Sequence, residues 1–146
     1  MRRGSVRREL EIAVPADAAW AVVTRADRLH LWFPGIVACE VDGDQRTIHL
    51  GTGIALGETI LTNDPTQRRF QYTISGGFFQ EHLGTIDVIA LGQDRCLVIY
   101  QSDVRPAAMS LILGGATHGA LRELRRQLEA GAGPALDALD QPATEA

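Results

Sequence analysis

Residues 12–36, IAVPADAAWAVVTRADRLHLWFPGI, decide the architecture of this chain. They begin at the end of a strand that stops at Pro15. Asp17 then caps or opens a short helix, AAWAVVT, and a second short helical piece, ADRLHLWF, must stop before Pro34 because the residue preceding a proline is driven out of the helical region. Trp32 and Phe33 stand at the exit, directly before the turn signal Pro34-Gly35. Two large aromatics there either plug a core or line a ligand pocket.

Upstream, Val6, Leu10, Ile12 and Val14 share one strand parity, while Arg7, Glu9 and Glu11 take the other, as in a half-buried strand. Downstream, IVACEV, the turn at Asp42-Gly43 and RTIHLGT make one hairpin. IALGETIL, the turn NDPTQ and RRFQYTIS make the next, and HLGTIDVIAL, GQD and RCLVIYQSDV a third. The last element is a helix with Pro106 in its first turn and a stripe of Leu113, Thr117, Ala120, Leu121, Leu124 and Leu128. Gly131 ends it, and residues 132–146 read as a flexible, Ala- and acid-rich tail. A curved antiparallel sheet of about seven strands cannot close perfectly on one long helix, and the space left between them is where a ligand would sit.

The bulk properties exclude several classes. With 146 residues the chain makes one domain, which buries roughly 70% of its unfolded surface without a metal or disulfide staple. Cys39 and Cys96 are isolated, which argues against a zinc site or a disulfide framework and for a reducing cytoplasm. The start, MRRGSVRREL, has no apolar segment after its basic residues, so no signal peptide is read, and no apolar run approaches a membrane span. A net charge of −4 disfavours nucleic acid. All 14 basic residues are arginine, which points to a high-GC bacterial genome.

The order of elements, the stretch 12–36, the Gly-Thr-Gly at 51–53, GETILTNDPTQRRFQYTISG and the helix ATHGALRELRRQLE resemble one known family. This is the helix-grip (SRPBCC) superfamily of START lipid-transfer domains and birch-pollen allergens, in its bacterial polyketide cyclase/dehydrase-like branch. The resemblance implies an α+β helix-grip domain over residues 5–131 and a cavity for a hydrophobic molecule. It also places the two short helices beside the cavity mouth. It carries over no catalytic motif residue by residue, because fold and chemistry separate in such families.

Candidate site residues therefore rest on parity. Glu58 lies with Ile54, Leu56 and Ile60, opposite Ala55, Gly57, Thr59 and Leu61; a carboxylate on the more apolar face is expected inside, with its pKa raised toward that of a general base. Tyr72 lies with Phe70 and Ile74, Tyr100 with Cys96, Val98 and Ser102, and His82 with Gly84, Ile86 and Val88. Glu58, His82, Tyr72 and Tyr100 are the catalytic candidates. Trp32, Phe33, Phe70, Tyr72, Phe78, Phe79, Tyr100, Met109, Leu113 and Thr117 are the ligand-binding ones. His49 reads as exposed, His30 as mouth or surface, and His118 as a helix-edge residue; no pattern among them holds a metal. GTGIALG lies between strands, so it is no dinucleotide fingerprint, and no Gly-x-Ser-x-Gly elbow occurs. Gly114, Gly115 and Gly119 mark either space beside the helix or a tight helix-on-sheet contact.

Two functions follow as expectations. One is a cofactor-free carrier or sensor of a hydrophobic or aromatic small molecule, lipid- or polyketide-like. The other is a polyketide cyclase/dehydratase in which Glu58 or His82 takes a proton alpha to a carbonyl and Tyr72 or Tyr100 stabilises the enolate. Exposed Phe78 and Phe79 serve as a lip to the cavity or as the contact of a homodimer.

Overall fold

The computed structural model describes residues 2–143. Seven strands, β1 (Gly4–Ile12), β2 (Ile36–Asp42), β3 (Gln45–Leu50), β4 (Ala55–Asp64), β5 (Arg69–Ser75), β6 (Glu81–Ala90) and β7 (Cys96–Arg105), form one sheet in the order β1-β7-β6-β5-β4-β3-β2. Every pairing is antiparallel. Helix α1 (Ala16–Val23) and a 3-10 helix (Ala26–Leu31) follow β1, and α2 (Met109–Ala130) follows β7. The expected order of elements is the observed one through α2. Among the described residues no helix is long and apolar enough to cross a membrane.

Parity builds the concave face. Cys96, Val98, Tyr100, Ser102 and Val104 of β7 are buried, as are His82, Gly84, Ile86 and Val88 of β6 and Phe70, Tyr72 and Ile74 of β5. Register shifts between Ile36 and Ala38 and between Ile60 and Thr62 interrupt the ladders, the local device that bends a sheet. Close approach is built into Gly84, where a Cβ would come within 2.6 Å of the Tyr72 ring.

Helix α2 buries Thr117, Ala120, Leu121, Leu124 and Leu128 against this face and packs chiefly on β1 and β7. At Gly114 a Cβ would lie 3.0 Å from both Val6 Cγ2 and Arg8 Nη2, so that glycine serves a tight helix-on-strand contact. Gly115 and Gly119 face open space instead. Pro106 precedes α2 in a turn closed by Met109 N–H to its carbonyl, so the helix proper starts three residues later than expected. Because α2 lies over one half of the sheet, β3, β4 and the start of α2 are left without close cover between them.

The segment after Gly131 differs from the expected loose tail through residue 143. A short helix α3 (Pro134–Asp137) buries Ala135 and, just beyond it, Ala138, and Leu136 and Leu139 pack against the core. Gln127, itself buried, accepts the Ala135 N–H on its side-chain oxygen and donates to the Leu31 carbonyl. Arg25 donates to the carbonyls of Ala138 and Leu139, and Arg28 to that of Pro142. The apolar spacing at 135, 136, 138 and 139 is helical, and the acidic residues between face outward. Residues 144–146 of the expected tail lie outside the described residues.

Candidate functional site

A cavity of about 610 Å³ opens between the β3–β5 half of the sheet and the first turns of α2. Ile48, Leu56 and Ile74 line its sheet side, and Leu113 and Ala116 its helix side. Phe33, Pro34 and Gly35, Gly51 and Thr52, and Phe78 and Phe79 converge on the opening with Met109 and Ile112. The rim is apolar and open to solvent: Phe78 is 71% exposed and Ile112 64%. Glu58 and Tyr72 are the ionisable residues of the lining.

Glu58 is buried, as its parity implied, and the reason it can be is Arg46. In the β3–β4 register the two residues stand opposite one another, and Arg46 Nε donates to Glu58 Oε1 at 2.6 Å. Both side chains are 2% exposed. The guanidinium also lies over the rings of Phe70 and Tyr72, 5.3 and 5.1 Å from their centroids, and donates from Nη1 to the Ala26 carbonyl. Burial pushes the Glu58 carboxyl up and Arg46 pulls it part of the way back. The signal for Arg46 lies in RTIHL, where it shares the inward parity of Ile48.

The Tyr72 and Tyr100 hydroxyls bond to each other at 2.5 Å, and burial drives both far above the ordinary tyrosine value, so both stay protonated. Tyr100 does not line the cavity. It packs behind the wall with Trp32, whose ring centroid is 6.5 Å away, and Phe33, at 6.1 Å. Trp32 itself is buried and also stands behind the wall; Phe33, the next residue, reaches the mouth. The aromatic pair at the exit thus divides: one ring plugs the core and one faces the opening. Phe70 lies beneath Arg46, and Thr117 returns its hydroxyl to the Leu113 carbonyl at 2.8 Å; neither lines the cavity. Tyr72, Phe33, Phe78, Phe79, Met109 and Leu113 do.

His82 points inward but is enclosed, flanked by the rings of Tyr72 at 5.3 Å and Phe79 at 5.2 Å. Its Nδ1 accepts the Ile74 N–H at 3.1 Å, so the neutral ring carries its proton on Nε2, which is buried with no partner among the described residues. Burial lowers its pKa to about 4, with Asp103 opposing weakly. A group depressed in the folded state stabilises fully above its unfolded value near 6.5, and that contribution is lost as pH falls toward 4. The loss amounts to about 3 kcal/mol. His82→Asn, whose amide oxygen takes the Ile74 N–H in place of Nδ1, should flatten the fall of Tm between pH 6.5 and 4; an unchanged acid limb would assign that limb to other groups.

Of the remaining histidines, His49 Nε2 lies 2.9 Å from Glu40 at the surface, and His30 Nδ1 lies 3.2 Å from Cys39 Sγ. Neither touches the cavity, and no group of three metal-ligating side chains occurs among the described residues.

A curved antiparallel sheet holding a long C-terminal helix, with a cavity between them, defines a helix-grip protein. The chain belongs to the polyketide cyclase/dehydrase and lipid transport family, whose model matches residues 3–133. None of the curated proteins matches it. Among solved structures it is similar to XoxI from Bacillus cereus (18% identity, 86% of this chain and 95% of that one, TM-score 0.80). A START superfamily protein from Mycobacterium smegmatis is similar at 16% identity over 88% of this chain and 99% of that one, with a TM-score of 0.73. Norcoclaurine synthase from Thalictrum flavum in complex with dopamine and hydroxybenzaldehyde is similar at 21% identity over 88% and 86%, with a TM-score of 0.67. At these identities the likeness is one of fold.

Proposed function

We propose that this protein binds a small hydrophobic or aromatic molecule in the cavity between sheet and helix, as a carrier or sensor. The observation that carries the reading is an apolar cavity of about 610 Å³ whose ionisable lining residues are Glu58 and Tyr72. A pocket of this size, apolar with a few placed polar groups, suits a drug-sized ligand. The exposed Phe78 and Ile112 of the rim support entry of an apolar molecule from a surface that water wets poorly.

Proton abstraction is the second reading, and the raised carboxyl of Glu58 inside the cavity favours it. Against it stand the partners: Arg46 holds one oxygen of the base, and Tyr100 occupies the hydroxyl of Tyr72. Native mass spectrometry after incubation with a bacterial lipid and polyketide extract separates the two. A retained, chemically unchanged small molecule is expected. A bound species lighter by one water, whose formation stops in Glu58→Gln, would favour the cyclase. Retention of nothing would overturn the binding reading.

A further inference from the structure

The polar end of the cavity has a sign. Arg46 does not line the cavity: its Nε is taken by Glu58, its Nη1 by the Ala26 carbonyl, and its Nη2 is sealed from solvent with no partner among the described residues. The cation therefore stands behind the carboxylate. What a molecule in the cavity meets is Glu58, with Oε1 already accepting from Arg46 and Oε2 bonded to nothing among the described residues. Unlike the sealed nitrogen, Oε2 is not cut off from the cavity space. The Tyr72 and Tyr100 hydroxyls are bonded to each other.

An open carboxylate oxygen asks for a donor. An ammonium would meet a carboxylate whose charge Arg46 already balances, and would lose its hydration without a full counter-charge. A carboxylate ligand would bring a second anion to within contact of the first, which disfavours ionisation of both. A carbonyl or ester has no proton to give. A neutral hydroxyl satisfies Oε2.

We propose that the ligand of this cavity is a neutral apolar alcohol or phenol, held hydroxyl-first by Glu58 Oε2, and that ionised fatty acids are rejected. The assignment rests on the reading of the cavity as a binding site. A hydrogen bond to a charged acceptor makes a difference of about tenfold or more in affinity over a ligand lacking the donor.

The test is displacement of N-phenyl-1-naphthylamine fluorescence by 1-decanol, decanoate and methyl decanoate at pH 8, where the acid is ionised. Decanol should displace the probe at about tenfold lower concentration than either of the others. In the Arg46→Met/Glu58→Met double variant the probe should still bind and the alcohol preference should vanish; Glu58→Gln, which keeps the shape, should reduce it. Decanoate or the methyl ester competing as well as decanol in the parent protein would overturn the hydroxyl assignment alone. A parent protein that binds neither the probe nor any of the three, judged by native mass spectrometry, would overturn the cavity reading and this one with it.

Discussion

Arg46→Met is expected to destabilise the protein by about 3–5 kcal/mol, the usual loss when one partner of a buried ion pair is removed and the other is stranded. Glu58 would then sit 2% exposed with no cation beside it. The pH dependence gives the cause away. With Arg46 gone, the folded carboxyl rises further above its unfolded value. The penalty is then full at pH values above that raised pKa and disappears as acid protonates Glu58. The difference in unfolding free energy between variant and parent should therefore be large at pH 8 and shrink toward pH 5. Taking the difference cancels the His82 limb, which both proteins share. The Arg46→Met/Glu58→Met double variant, with apolar groups in place of both charges, should recover most of the loss. Urea titrations at the two pH values decide it: a single variant as stable as the parent at pH 8 would mean that Glu58 reaches water or another partner.

Trp32→Ala is expected to cost about 3–5 kcal/mol as well, by a different route. The indole is among the largest fully buried side chains, tilted against Phe33 at 6.3 Å and Tyr100 at 6.5 Å. Its removal leaves a void that the 3-10 helix and β7 cannot close without moving. The loss should show no dependence on pH between 6.5 and 8, since no titrating group is stranded. Phe33→Ala, at the mouth, should cost less and act on ligand retention instead. Equal destabilisation by the two substitutions, measured by thermal melts, would contradict the division of this aromatic pair into plug and rim.

The strands were readable because each has a period of two and is bounded by turn residues, and the stripe on α2 because it repeats at helical spacing. Parity also turned Glu58, Tyr72, Tyr100 and His82 inward. It could not say how deep each would lie. A strand's parity gives the face, whereas lining a cavity depends on where α2 stops covering that face. His82 and Tyr100 point the right way and are walled in by neighbours, while Ile48 and Leu56 point the same way into space. Adjacent residues at the end of a 3-10 helix diverge, so Trp32 and Phe33 took different surroundings. Composition masks the helical spacing of the tail, and Arg46 is masked because a charged residue in a strand is ordinarily turned out.

By itself, then, the sequence determined the order of elements, their faces, and that a carboxylate would be turned toward the apolar side. Those are consequences of local periodicity, which needs no partner. Only the tertiary structure decided that Arg46 stands opposite that carboxylate, that it closes off one oxygen and leaves the other, and that the cavity lies over β3–β5. Each depends on strand register and on the placement of one helix across the sheet, and these are set by contacts between residues far apart in the chain.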